Sequence, residues 1–251
     1  TFKSIMLLNN KTAVITGCNR GIGFSIMETF CKNGATVIAC VRKINKDFEK
    51  NVENLIKKHG KKIHIVIFDL ENEEELNNSL STIKNLEQNI DILVNNAGIN
   101  QISLFQMTTI KSFRKVFETN FFSIVNFTQK MLKIIKKNNF SKIINIASNA
   151  ADLSDAGRSA YAPSKAALIS LTKVLSKELG VNKINVNAVS PGLVNTDMMK
   201  DTPKKAIEEA ISRTPLKKVA EPIDVAKTVL YLASDDSNHI TGEIINVTGG
   251  M

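Results

Sequence analysis

Thr12-Ala13-Val14-Ile15-Thr16-Gly17-Cys18-Asn19-Arg20-Gly21-Ile22-Gly23 makes three structural statements in succession. The first five residues are mostly apolar and β-branched, as a strand requires, and helical periodicity begins at Gly21 and runs to Lys32. Between them lies a glycine-rich turn. Glycines at 17, 21 and 23 permit a tight bend and let backbone N–H groups at a helix N-terminus approach a pyrophosphate. The G-x-x-x-G-x-G spacing differs from the G-x-G-x-x-G dinucleotide fingerprint, so the turn takes its meaning from its place between strand and helix.

The same alternation extends outward through the chain. Short β-branched runs at 36–40, 63–68, 91–94, 142–146, 184–189 and 242–247 read as further strands. Helical periodicity fills 72–86, 111–135, 160–179 and 222–233. This pattern predicts an α/β architecture: a doubly wound seven-stranded parallel sheet with helices on both faces. No repeat, low-complexity linker or composition seam divides 1–251, which is expected to be a single domain. The longest stretch without clear periodicity is 190–215, containing Pro191, Gly192, Pro203 and Pro215 and a short helix around 204–212. Following a late strand, it lies near the carboxyl-end crevice where such sheets bind ligands and is expected to form a substrate lid.

Composition narrows the functional classes. The 251 residues include 33 Lys+Arg against 24 Asp+Glu, a formal charge of +9, and 43% are hydrophobic. Collagen, coiled coil and wholesale disorder do not fit these figures. Cys18, Cys31 and Cys40 form neither a C-x-x-C pair nor an even-numbered disulfide framework, which favours a reducing compartment. The apolar run at 5–8 is too short for a signal peptide core, and no segment approaches the ~18 apolar residues of a spanning helix. A cytoplasmic protein without a membrane partner is expected. Basic residues concentrate at 41–62 and at Lys130, Lys133, Lys136, Lys137 and Lys142. Such fields attract phosphates, acidic proteins or nucleic acid. No nucleic-acid motif accompanies them, so solvated helix faces explain them without a nucleic-acid partner. His59, His64 and His239 form no H-E-x-x-H-type motif, and no metal is expected.

Charge also bears on the cofactor. Dinucleotide folds hold the ribose 2′-OH of NAD with an acid at the end of the second strand, but here that strand ends Ala39-Cys40-Val41-Arg42. Arg42 and Arg20 suit a 2′-phosphate instead, so NADP(H) is preferred over NAD(H). Tyr161 and Lys165 leave one face of a helix, where the ammonium favours the phenolate of the tyrosine. Ser148, just past the fifth strand, is suited to hydrogen-bond a substrate carbonyl oxygen.

Taken together, T-G-x-x-x-G-I-G at 16–23, Asn95-Asn96-Ala97-Gly98, Asn120, Ser148, Tyr161 with Lys165, and Pro191-Gly192 resemble the signature of the short-chain dehydrogenase/reductase family. The resemblance covers essentially the whole chain. It is closest to the 3-oxoacyl-[acyl-carrier-protein] reductases at 90–98, Val194-Asn195-Thr196-Asp197-Met198 and the last twenty residues. It implies a Rossmann fold and an NADPH-dependent reduction in which Tyr161 protonates a carbonyl oxygen and Ser148 orients it. Lys165 would lower the tyrosine pKa and hold the nicotinamide ribose, and Asn120 would keep a water for a proton relay. Gly17, Asn19, Arg20, Gly21, Ile22, Gly23, Arg42, Ala97, Gly98, Pro191 and Gly192 would surround the cofactor. Asp69 would contact the adenine beside Leu70, while Asn96, Val194 and Thr196 would line its ribose and nicotinamide end.

Plainer readings stand beside these. Asp69 is equally placed to cap the helix that follows it, Asn95 to tie strands together, and Phe121, Phe122 and Phe127 to pack a core or subunit interface. An acidic acyl-carrier protein needs a basic rim near the active-site mouth, for which Lys137 and Lys183 are the candidates. The chain departs from the carrier-protein reductases in having Asn139 and Asn182 where those place docking arginines. The substrate is therefore a carrier-protein-bound acyl group or a small molecule: another ketone or secondary alcohol, such as a sugar or cell-envelope glycan precursor. An NADP(H) sensor without turnover is the reading from another class, and the intact Asn120, Ser148, Tyr161 and Lys165 speak against it. The resemblance also implies a homotetramer with the 111–135 and 160–179 helices at an interface.

Overall fold

The computed structural model describes residues 6–87, 89–135, 137, 139–199 and 204–251. Lys136, part of the expected lid at 200–203, and the start of the chain through Ile5 lie outside the described residues. The strands are β1 (Thr12–Thr16), β2 (Thr36–Val41), β3 (Ile63–Ile67), β4 (Ile92–Asn95), β5 (Ser141–Ile146), β6 (Ile184–Pro191) and β7 (Ile244–Val247). The helices are α1 (Gly21–Lys32), α2 (Lys46–His59), α3 (Glu73–Leu86), α4 (Ile110–Phe117), α5 (Ser123–Met131), α6 (Ala150–Leu153), α7 (Tyr161–Gly180), α8 (Lys204–Arg213) and α9 (Pro222–Ala233). All seven strands join one parallel sheet in the order β3-β2-β1-β4-β5-β6-β7.

The alternation of a strand decides which helices cover which face. Ala13 and Ile15 of β1, Val37 and Ala39 of β2, and Ile92 and Val94 of β4 pack into a core completed by α1, α2 and α9. The residues between them, Val14, Ile38 and Leu93, enter a second core with Leu76 and Ile83 of α3 and Phe127 and Met131 of α5. Both faces of the sheet are therefore buried, which is why its strands read as continuous apolar runs. In α2, Phe48, Val52 and Leu55 face inward at helical spacing while Lys46, Lys50, Lys57 and Lys58 face water. The basic stretch is a solvated helix face.

A polar ladder crosses the second core. Asn95 Nδ2 donates to Thr128 Oγ1 (3.0 Å) and Asn145 Oδ1 (2.8 Å), and Asn145 Nδ2 donates to Thr172 Oγ1 (2.9 Å). These buried amide donors find acceptors in one another's side chains and in the threonines, tying α5, β4, β5 and α7 together, and Asn95 has the tying role expected of it.

The continuous helix expected at 111–135 is replaced by α4, a π-helical turn at Glu118–Phe122, and α5, which ends at Met131. The physical reason is Asn120. Its Nδ2 donates to Ile99 O (3.0 Å) and Ser164 Oγ (3.1 Å), and its Oδ1 accepts from Ile99 N (2.8 Å). Holding that amide against the strand-β4 loop takes up one extra residue in the helical ladder, the usual form of a π turn.

Candidate active site

The strand order reverses between β1 and β4, and a cleft of about 970 Å³ opens along the carboxyl ends of the strands there. The glycine turn after β1 forms one wall. Gly17 and Gly21 have φ of 66° and 57°, the left-handed region that favours glycine, and Arg20 is extended before α1 begins. No side chain caps α1 and no acid occupies its first turn, so its free N–H groups remain available to an anion. The turn is latched from β4: Asn96 Nδ2 donates to Thr16 O (3.0 Å) and Gly17 O (2.9 Å). Thr16 Oγ1 in turn accepts from the N–H groups of Asn96 (3.0 Å) and Ala97 (3.1 Å). A Cβ at Gly23 would stand 2.3 Å from Gly17 O and 2.4 Å from Asn96 Nδ2, so the latch itself demands glycine.

Ser148, Tyr161 and Lys165 meet farther along the cleft. Ser148 Oγ, just beyond β5, accepts from Ala150 N (3.2 Å) and lies within hydrogen-bonding reach of the Tyr161 hydroxyl. Lys165, one turn along α7 from Tyr161, donates from Nζ to Ile146 O (2.8 Å). Burial pushes its pKa down to about 8. The lowering of the Tyr161 pKa expected from this ammonium is corrected by the structure. Burial dominates and raises it, while the Ser148 hydroxyl and the Arg158 guanidinium pull it partly back. Tyr161 is therefore a protonated phenol at neutral pH, the form that gives a proton.

The cofactor residues expected from the sequence come together. Gly17, Asn19, Arg20, Gly21, Ile22, Gly23, Arg42, Asp69, Leu70, Asn96, Ala97, Gly98, Pro191, Gly192, Val194 and Thr196 all line the cleft with Tyr161 and Lys165. Asn120 stands behind that lining, fully buried. A Cβ on Gly98 would lie 3.2 Å from Asn120 Oδ1 and 3.4 Å from Lys165 Nζ, so the two polar groups converge behind this glycine. Asp69 does not cap α3, because Asn72 does, accepting from the N–H groups of Glu74 (3.1 Å) and Glu75 (3.2 Å). Its carboxylate instead lies 4.0 Å from the guanidinium of Arg42 at the end of β2. Phe127 packs against Phe68 with centroids 5.7 Å apart, and Phe121, Phe122 and Phe127 do not line the cleft.

The basic rim is corrected. Lys137 and Lys183 precede β5 and β6, at the amino-terminal edge of the sheet and opposite the cleft, and Lys183 lies over the Phe140 ring at 5.6 Å. The basic groups at the substrate end are Arg158 and Arg213, neither of which the sequence reading singled out. Arg213 of α8 reaches Asp155 at 3.6 Å, and Arg20 reaches Asp197 at 3.6 Å, so two ion pairs join the 190–215 segment to fixed walls. Ser164 was also missed: its hydroxyl donates to Tyr161 O (2.7 Å) and accepts from Asn120. Among the described residues, no three His, Cys, Asp or Glu side chains sit together as a metal site, and no helix is long and apolar enough to cross a membrane.

The family described as enoyl-(acyl carrier protein) reductase matches residues 17–251. A 3-oxoacyl-[acyl-carrier-protein] reductase of Aquifex aeolicus is 37% identical over 245 residues, 97% of this chain and 98% of the relative. A short-chain dehydrogenase/reductase of the glucose/ribitol dehydrogenase type from Brucella melitensis superimposes with a TM-score of 0.88 at 28% identity, covering 97% of each chain. The chain belongs to the short-chain dehydrogenase/reductase family. A second solved relative within that family is a 7α-hydroxysteroid dehydrogenase complexed with NADH and 7-oxo glycochenodeoxycholic acid. It has a TM-score of 0.91 and 32% identity, covering 100% of this chain and 98% of that one. Like other short-chain dehydrogenase/reductases, the protein is an oxidoreductase that binds NAD(P). The cradle fits such a cofactor: its glycines leave the wall free of side chains where the open end of α1 faces the cleft.

Proposed function

We propose that this protein is an NADPH-dependent carbonyl reductase that converts a 3-oxoacyl thioester, carried on an acyl-carrier protein, to the 3-hydroxyacyl thioester. The observation that carries the reading is the placement of the Tyr161 hydroxyl beside Ser148 on the cleft wall, two hydroxyls able to converge on one carbonyl oxygen. The reduced nicotinamide, when bound, supplies the hydride to the carbonyl carbon. Ser148 orients the oxygen, and Tyr161 gives it the proton that balances the hydride. Lys165 stabilises the phenolate left behind, and its convergence with Asn120 supports a relay through a water held there. The exposed Arg42 and Lys43 at the end of β2, with no acid on that strand end, support NADPH over NADH.

The 190–215 segment acts as the lid, held by its two ion pairs, within a single domain spanning 1–251. Three free, buried cysteines support a cytoplasmic setting. A homotetramer is supported by the exposed Phe105, Met107, Ile110 and Phe122 on and around α4.

A second reading is favoured by the apolar Ile102, Leu153, Met198 and Met199 in the cleft: a bulky apolar ketone, as the hydroxysteroid dehydrogenase relative suggests. These side chains suit an acyl chain or a steroid better than a sugar. The test is oxidation of NADPH with acetoacetyl-carrier protein, acetoacetyl-CoA, a 7-oxo bile acid and an enoyl thioester, with NADH as control. Fast turnover of the acetoacetyl substrates by wild type, lost in Tyr161→Phe with NADPH binding kept, is expected. Turnover confined to the bile acid would replace the proposal with the second reading.

A further inference from the structure

Arg158 is three residues before Tyr161, in the turn between α6 and α7. Its guanidinium carbon lies 5.6 Å from the centre of the Tyr161 ring, and its Nη1 donates to Asn100 Oδ1. Asn100 belongs to the loop after β4, and both residues line the cleft. The placement is fixed by backbone as well: Arg158 bridges to Ser103 in parallel fashion, and Ser103 N donates to Gly157 O (2.9 Å).

Among the described residues, the charge of Arg158 has no carboxylate partner. It is half-buried, and among the described residues it makes no ion pair. Asp155, the acid next to it in the same turn, pairs with Arg213 at 3.6 Å. Other charged groups lining the cleft include Lys165, Glu209 and Asp197, the last paired with Arg20. A cation that gives up part of its hydration and receives only a neutral amide leaves most of its donor fork unmatched. Guanidinium donors in that state complement an oxygen acceptor on whatever occupies the cleft.

We propose that Arg158 sets the substrate class of this site, by holding a second oxygen one methylene beyond the carbonyl that Tyr161 protonates. The inference rests on the 3-oxoacyl reading and deepens it: the site selects 1,3-dicarbonyl compounds over isolated ketones. In such a compound the second oxygen belongs to a thioester carbonyl or to a free carboxylate, and either accepts from a guanidinium. Arg158 also helps keep the Tyr161 phenol from an even higher pKa, but that influence acts alike on every substrate. Selectivity between substrates separates the two effects.

The experiment uses the full chain with NADPH and three substrates: the acetoacetyl thioester of N-acetylcysteamine, acetoacetate and cyclohexanone. Arg158→Gln is expected to lower kcat/KM for the better of the two acetoacetyl substrates by about 10- to 100-fold, the worth of a charged hydrogen bond, and to leave cyclohexanone within about twofold. Whichever acetoacetyl substrate loses more identifies the oxygen that is held. Arg158→Lys recovers part of the loss, and Asn100→Leu, which frees the guanidinium without removing it, gives a smaller loss in the same direction. Equal losses on all three substrates, with an alkaline shift of the pH profile, would show that Arg158 acts through Tyr161 and overturn the proposal. Unchanged turnover of the acetoacetyl substrates would overturn it as well. If wild type leaves cyclohexanone untouched, the two acetoacetyl substrates decide: losses that differ between the thioester and acetoacetate support the role, and equal losses on both overturn it. A wild type that reduces cyclohexanone but neither acetoacetyl compound removes the 3-oxoacyl reading and this inference together. A wild type that reduces the thioester while the variants fail to discriminate removes only the role of Arg158.

Discussion

Replacing Gly23 by alanine adds one methyl group to a helix and should nonetheless destabilise the protein. In open helical positions this exchange is favourable by about 1 kcal/mol, because alanine has the higher propensity. At position 23 the added carbon would stand 2.3 Å from Gly17 O, 2.4 Å from Asn96 Nδ2 and 2.9 Å from Cys18 Cα, and two of those three atoms are backbone. Relieving the overlap costs about 1–3 kcal/mol. It also displaces an amide that makes hydrogen bonds of 3.0 and 2.9 Å, each worth about 1 kcal/mol. The net expectation is a loss of about 3 kcal/mol, or a fall of about 6–12 °C in Tm for a chain of this size. NADPH affinity should fall with it, since the same atoms shape the cradle. Gly180→Ala is the matched control: nothing lies within 4 Å of its added carbon, and Tm should hold or rise. Thermal melts and NADPH titrations of both variants read the difference. A Gly23→Ala protein that melts within about 2 °C of wild type and binds NADPH normally would refute the reasoning.

Arg42→Ala should weaken NADPH binding about tenfold while leaving NADH binding nearly unchanged, checked by titrating each cofactor. Equal effects on both would remove Arg42 from 2′-phosphate recognition. Lys142 is a buried ammonium donating to Asn238 Oδ1 (2.7 Å), Asn185 Oδ1 (3.1 Å) and Ser237 Oγ (3.3 Å), and burial pushes its pKa down to about 8. In the unfolded chain a lysine titrates near ~10.4, so between these values the unfolded state binds more protons and stability rises with pH. Below pH 8 both states hold the proton, and the full cost of burying the charge is present. Urea midpoints measured from neutral to about pH 10 should therefore climb in wild type and climb less in Lys142→Met; identical slopes would contradict the assignment.

What the sequence disclosed follows from what periodicity and turn chemistry encode. Residues 12–16 and 222–233 are an exact strand and helix because the first is a β-branched run ended by glycine and the second opens on Pro222. The strand read at 184–189 continues in the structure through Ser190 and Pro191, which pair with Asn246 and Val247 of β7 beyond the last residue that β5 pairs. The grouping of Ser148, Tyr161 and Lys165 was legible because Tyr161 and Lys165 share a helix face and Ser148 lies just past a strand. The direction of the tyrosine pKa was not, because a neighbouring ammonium is visible in sequence and burial is not. Arg158 escaped notice for a related reason. Its partner Asn100 is 58 positions away, and an arginine in a polar turn reads as surface until the fold closes around it. Lys137 and Lys183 were set at the wrong end of the sheet because basic composition says nothing of which strand terminus it precedes.

The π turn at Glu118–Phe122 has a bearing on how this chain tolerates changes of length. Most helices absorb the loss or gain of a residue at their ends. Here the extra residue is stored in the middle, and Asn120 faces Ile99 and Ser164 only because of it. Deleting any one residue between 118 and 122 would let the segment relax into a regular α-helix with α4 and α5 still in their present register. The amide would then swing out of its socket, while α4 and α5 would keep their length and most of their packing. Such a deletion would look innocuous in overall helix content and still dismantle the support behind Lys165. The count of residues between β4 and α5 is thus set by the site it serves, not by the span the chain has to cover.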